Sequence, residues 1–350
     1  MPISNYAPLD EALERLSGYD IELRNGKSNH APMVAEALCA MGRPEAVMPW
    51  IARYRDRLLP LRPPGARSHI GSWGSALGKR VRFADWAEFF AQELQRAPWR
   101  EVLDRWVARL APGFSSAATH GVIRVGHAVR SLSVAETACR VRELGDAFAS
   151  WAATYRELPS RDSAGGQPMA PRQAVEQAPV IAPQRRRNLG NITASLAMLD
   201  EFPEFAPVIG ILDVHGDIEP LLAELTDLFA RLYLTNARDT LTTIVFIHGV
   251  TSLAALGSIM PHVGETTARL ALRYAWQSGC ALYACFGSAA IARESPSGPD
   301  DATTLIDRAV ANGDEHVIKF TEACLRRHSL APSPAYCAAV DHVLGALRAC

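Results

Sequence analysis

The chain contains no CxxC pair, no HExxH, no GxSxG, and neither the GxxxxGK[ST] nor the GxGxxG phosphate-binding pattern. These absences remove the zinc knuckle, the zincin peptidase, the α/β-hydrolase elbow and the common nucleotide-binding loops. Seven cysteines (Cys39, Cys139, Cys280, Cys285, Cys324, Cys337 and Cys350) are an odd count in 350 residues, so a disulfide framework is not expected. They read as reduced, small apolar residues. Charge of one sign is also missing: 36 basic residues face 37 acidic ones. That leaves no electrostatic footprint for nucleic acid or an anionic membrane. The one basic run, Arg185–Arg187, adjoins a Pro-rich stretch and reads as a solvated loop. No apolar run is expected to span a bilayer, which takes roughly 20 residues. The N-terminus lacks the charged and apolar regions of a signal peptide. A cytoplasmic protein with no membrane or nucleic-acid partner is the expectation.

Helical periodicity dominates what is present. Leu9, Leu13 and Leu16 mark one stripe, and Val47, Trp50, Ile51, Tyr54 and Leu58 another. Trp99, Val102, Leu103, Trp106, Val107 and Leu110 form the clearest, at i, i+3, i+4, i+7, i+8 and i+11. Leu144, Phe148, Trp151 and Tyr155 continue the theme, as do Leu222, Leu225, Phe229 and Leu232. Such stripes are core-forming faces, and Trp73, Phe83, Trp86 and Tyr274 are assigned to core with them. Strand signals are few. Residues 206–214 read as a short strand, while residues 242–247 are open between buried strand and buried helix before a helical run to Leu256.

The fold class expected is all-α. Between Leu158 and Asn188 the composition turns to Pro, Gly, Gln and Ser, which reads as a long internal loop joining halves 1–157 and 189–350. A second loop is expected over Glu294–Asp301. Two histidine motifs fall in each half, so the expectation is a single helical domain over 1–350.

Those motifs are Ser28–Met33 around His30, His120–His127, Phe246–Thr251 around His248, and Asp314–Lys319 around His316. Each histidine stands near a predicted helix start in apolar surroundings. Neutral imidazole is the commonest metal ligand, so four such sites suit convergence on one buried ion. The alternative is four satisfied core or capping histidines. On a helix, His316 and Lys319 share a face about 4.5 Å apart along the axis. A lysine ammonium repels a metal, whereas a buried, deprotonated amine that takes up carbon dioxide becomes an anionic oxygen donor. His120 and His127 share a face but lie about 10.5 Å apart along the axis. One is therefore placed on the metal and the other behind it or in the substrate pocket. Arg124 stands between them, to neutralise an anionic substrate or to form a surface ion pair. Asp314 is expected to cap its helix. Four neutral histidines and one anionic oxygen suit iron with one position open, although no ordinary two-histidine, one-carboxylate spacing is written here. His69, His215, His262, His328 and His342 lack the apolar helical context and read as surface or loop residues.

At Ser28–Leu38, His120–Ala128, Phe246–Thr251 and Asp314–Ala323 the chain resembles the questin oxidase family, which includes enzymes of fungal aromatic polyketide biosynthesis. The resemblance implies an all-helical oxygenase that opens, or inserts oxygen into, a quinone-type ring. It also implies an iron site of histidines and a carboxylated lysine. Carried over, the metal ligands are His30, His120, His248, His316 and Lys319, with His127 the leading replacement for any of them. His127 and Arg124 become proton carrier and anion holder. The expected partners are an aromatic or quinone-like small molecule and dioxygen. The cofactor is Fe(II/III), with NADPH as an external reductant in a Baeyer–Villiger-type variant. Competing expectations are a metal-dependent hydrolase or lyase, and a metal-free helical binding protein. No oligomeric interface can be read.

Overall fold

A computed structural model describes residues 5–61, 69–161, 167–187, 189–288 and 301–348. The first half carries α1 (Ala7–Leu16), β1 (Tyr19–Leu23), α2 (Ala31–Ala40), α3 (Val47–Tyr54), β2 (Leu58–Pro60), α4 (Trp73–Ala76), α5 (Phe83–Arg96), α6 (Trp99–Leu110), α7 (His120–Val134) and α8 (Ala138–Ala153). After the short α9 (Pro171–Glu176) and α10 (Ile192–Leu196), the second half carries α11 (Ile218–Asn236), α12 (Thr240–Ile259), α13 (Glu265–Phe286), α14 (Ala302–Asn312), α15 (Glu315–Leu330) and α16 (Pro334–Ala346). The class is all-α, and the helices of both halves pack as one domain.

The helix α12 is the axle. It packs against α7, α11, α13 and α15, and 14 of its residues are buried, on every face. Asp239 starts it through a capping box with Thr242. This explains why residues 242–247 carry no amphipathic period: a helix surrounded by others is apolar all round. The segment 240–262 does reach membrane-spanning length and hydropathy, contrary to expectation, and 83% of its most apolar window is buried against other helices. Residues 206–214 are also not a strand. They fall largely in a run of 3₁₀ turns, Pro203–Gly210, because Pro203 and Pro207 fix helical φ and remove ladder donors. Only an isolated parallel bridge, Met169 to Leu212, remains. The antiparallel pairing of β1 with β2, across the intervening α2 and α3, was not anticipated.

The Pro-rich segment after Leu158 carries α9 and lays Ala174, Val175, Ala178 and Ile181 into the core. Of the expected second loop, only Asp301 lies among the described residues, where it caps α14. Trp86, Trp106 and Phe148 are core as read, and they pack edge-to-face or stacked with Phe89 and Phe90 at centroid distances of 4.8–6.1 Å.

Two apolar clusters result. The larger spans α4–α13 and most of α15 and α16. The smaller joins α1, α2 and α3 with Cys139 and Ile318. The helices α7 and α12 touch backbone to backbone at Gly126, where an added Cβ would lie 2.6 Å from Ala255 Cβ and 2.7 Å from its carbonyl oxygen.

Candidate metal centre

His30, His120, His248 and His316 meet in one cluster between the two apolar cores. Ring centroids are 4.7 Å apart for His30 and His120, 4.8 Å for His30 and His316, 4.8 Å for His120 and His248, and 6.0 Å for His248 and His316. His30 is the N-cap of α2, His120 opens α7, and His316 is in the first turn of α15. His248 instead sits in the middle of α12, so the expectation of four helix starts holds for three.

Main-chain carbonyls fix which nitrogen faces inward. His120 Nδ1–H donates to Ala117 O at 2.5 Å, and His248 Nδ1–H donates to Ile244 O at 2.6 Å. Each leaves Nε2 as a lone pair directed into the cluster. His120 Nε2 lies 2.7 Å from His30 Nε2, while the buried His30 Nδ1 has no hydrogen-bond partner. Two nitrogens on one ion, each about 2.1 Å from it and at right angles, would lie about 3 Å apart. The donor set therefore fits a metal: converging imidazole nitrogens and an orphaned buried ring atom.

The carbonyl that orients His120 comes from strained backbone. Ala117, Ala118 and Thr119 all have positive φ (47°, 55° and 68°), which costs about 1–2 kcal/mol for each non-glycine residue. Strain of this kind persists where the surrounding structure over-determines it. Burial, followed by Lys319 and the neighbouring rings, lowers the pKa of His30 well below its usual value. Burial and then His248 do the same for His120, and burial with His316 brings His248 to about 3. These three rings are neutral at physiological pH, the form that donates to a metal.

Lys319, 3% exposed, is held to about 8 by burial, which Glu315 and Asp314 offset only in part. No hydrogen bond or ion pair ties it to a described residue. It lines a narrow cleft with His127, Arg130, Thr251, Glu322 and Arg326. Asp314 caps α15 as expected, accepting from His316 N at 2.8 Å and Val317 N at 3.2 Å, and stands 3.4 Å from His316 Nδ1.

The other two predicted site residues turn away from the four rings. His127 Nδ1 pairs with Glu36 at 2.6 Å. Arg124 forms a buried two-pronged pair with Glu143 of α8 at 2.6 and 2.8 Å. One face of α7 thus serves two neighbours, α2 and α8. Sequence reasoning missed the charged lattice behind His127. There Arg130 bridges Glu36 and Glu322, Arg326 pairs with Glu322 at 2.9 Å, and Tyr6 OH donates to Glu36 at 2.9 Å. Burial would raise the carboxyl pKa of Glu36, but Arg130 and His127 hold it far below the usual range. A signal existed for Glu36, a lone acid within the apolar run of α2, because buried charges are paired. None of the five remaining histidines enters the cluster. His215 is exposed, and His262, His328 and His342 contact Ser133, Ser333 and Tyr233.

Residues 27–324 match the family described as Questin oxidase-like, which covers all four histidine motifs. The chain belongs to that family. Membership places it among oxidases and oxygenases that act on aromatic substrates. No curated protein matches the chain in a direct sequence comparison.

Proposed function

We propose that the protein is a non-haem iron-dependent oxygenase acting on an aromatic or quinone-like small molecule, with dioxygen as co-substrate. The observation that carries this is the convergence of four imidazoles, three of them buried and neutral and the fourth, His316, partly buried, beside a buried lysine of depressed pKa. His30, His120, His248 and His316 would hold the ion, with Lys319 as the fifth residue, its amine open to carboxylation. Bound there, iron would supply redox chemistry toward oxygen and an electron-rich ring.

The chain's own residues have separate tasks. Ala117 O and Ile244 O hold the rings of His120 and His248 with Nε2 inward. The apolar walls of α7 and α12 exclude water. His127, pinned through Nδ1 on Glu36, keeps its other nitrogen for a proton in the cleft it shares with Lys319. No anion is assigned to Arg124, because Glu143 already neutralises it. Electrons come from the substrate or from an external reductant such as NADPH.

The test is metal analysis after anaerobic reconstitution with ferrous iron, followed by oxygen-uptake assays on hydroxylated quinones with and without NADPH. About one iron per chain is expected in the wild type, and its loss in a folded His248→Ala variant. A folded wild type that retains no iron would refute the proposal. Retention of zinc, with turnover independent of oxygen, would establish a hydrolase or lyase instead.

A further inference from the structure

We infer that His127 is a positioning residue for the carbamate of Lys319, its Nε2 accepting the N–H that the carbamate keeps. The inference rests on reading Lys319 as the carboxylated fifth residue, and it adds no ligand to the centre. Carboxylation joins Nζ of the neutral amine to the carbon of carbon dioxide. One C=O π pair moves onto oxygen, one amine proton leaves to water, and one N–H remains. The side chain then carries two oxygens for an ion and one donor that needs an acceptor of its own.

The cleft offers that donor few choices. Lys319 is 3% exposed, and a buried N–H left without an acceptor is costly. Glu322 Oε1 is taken by Arg130 and, at 2.9 Å, by Arg326. The Thr251 hydroxyl donates to Ile247 O at 2.9 Å and keeps only its weakly basic lone pairs. His127 Nε2 is the stronger acceptor, and no described residue is bonded to it.

The packing fixes the role of the ring. Its Nδ1 lies 2.6 Å from Glu36 Oε2 and 3.3 Å from Arg130 Nη2. Glu36 is ionised, so only an Nδ1–H can meet its oxygen that closely, and the lone pair falls to Nε2. Burial keeps the ring neutral against the pull of Glu36. The helices α7 and α15 both pack on α12. Arg130 stands one turn beyond His127, Glu322 stands one turn beyond Lys319, and these two pair. His127 and Lys319 therefore sit at one level of the two helices and line the same cleft. At about 220 Å³ the cleft falls below the range of small-molecule pockets, a scale that suits a carbamate rather than an aromatic ring. The pair of Glu36 and His127 thus resembles the partners that orient ligands behind other metal sites.

Replacements that separate the two ring nitrogens test this, because asparagine puts an amide near Nδ1 and glutamine puts one near Nε2. Zinc-loaded wild type, His127→Asn, His127→Gln and Thr251→Val, each labelled with ε-¹⁵N lysine, are titrated with ¹³C-bicarbonate, with circular dichroism to confirm folding. Lys319 shares the chain with two other lysines, Lys27 and Lys79, both exposed, so a ¹³C–¹⁵N carbamate signal is readily assigned. His127→Asn should need about fivefold more carbon dioxide for half-carboxylation, while His127→Gln and Thr251→Val stay within about twofold of wild type. A ring that only holds Glu36 gives the reverse order, with asparagine the better replacement. That order, or an unchanged His127→Asn, overturns the proposal. A wild type that holds zinc without any carbamate signal removes the carboxylation of Lys319, and the inference with it. One that holds no zinc removes the metal centre itself. Where a variant fails to fold, or both His127 variants lose the carbamate, the wild type alone decides. With ¹⁵N in lysine and histidine it should show coupling across the hydrogen bond from Lys319 Nζ to His127 Nε2. A carbamate signal without that coupling overturns the proposal.

Discussion

Replacing Glu36 by glutamine removes one negative charge from the centre of the buried lattice without changing its shape. Glu36 is 2% exposed and takes hydrogen bonds from Tyr6, from Arg130 and from His127 Nδ1. Breaking a buried ion pair costs about 3–5 kcal/mol when the partner charge is stranded. Here Arg130 keeps Glu322, and the amide oxygen of glutamine still accepts from Tyr6, so a loss of about 2–4 kcal/mol is expected for metal-free protein at pH 7. The pH dependence gives a second reading. The folded carboxyl of Glu36 has its pKa depressed below 4.5, so its stabilisation is complete above pH 4.5 and declines as the pH falls further. The gap between wild type and Glu36→Gln should shrink by about 1 kcal/mol between pH 4.5 and 3.5. Urea unfolding at pH 7, 4.5 and 3.5 measures both quantities. A loss under about 1 kcal/mol at pH 7, or a gap that does not change with pH, would show that Glu36 does not bear this charge.

Gly126→Ala drives a methyl into the Ala255 backbone of α12, where the neighbour cannot yield by rotating a side chain. Separation of the helices that carry His120 and His248 should cost about 1–3 kcal/mol in urea unfolding and weaken iron retention. Unaltered stability and iron content would show that α7 and α12 tolerate a wider spacing. Ala117→Gly relieves about 1–2 kcal/mol of left-handed strain and adds about 0.5–1 kcal/mol of unfolded-chain entropy. The metal-free variant should therefore gain up to roughly 1 kcal/mol, while iron binding weakens because the carbonyl that orients His120 is freed. A variant that loses stability, or binds iron more tightly, contradicts the strain argument.

The histidines were legible because each lies in an apolar helical run, where an isolated polar ring needs a reason. Their convergence was not legible from spacing, since His30 and His316 belong to opposite ends of the chain. The stripes on α6, α8 and α11 announced the core directly. The helix α12 did not, because a helix buried on all sides loses the period that separates it from a strand. His127 shows the limit from the other side. Its face of α7 was read correctly, but its partner, Glu36, is fixed by the packing of α2 on α7, which no local pattern encodes. Glu315 adjoins His316 in the chain, but its partner, Arg57, comes from the turn that precedes β2, which no local pattern encodes.

The histidine cluster also straddles the seam between the two apolar cores. His30 is anchored to the smaller one, of α1, α2 and α3, while His120 and His248 belong to helices of the larger. An ion held by all of them would be a rivet across that seam, and its lifetime in the protein would be a kinetic property of the seam. Were α1–α3 to open across the seam, escape would cost less than global unfolding. Metal exchange and amide-hydrogen exchange in α2 should therefore share one rate-limiting step. Loading with iron should slow hydrogen exchange throughout the N-terminal unit far from any ligand.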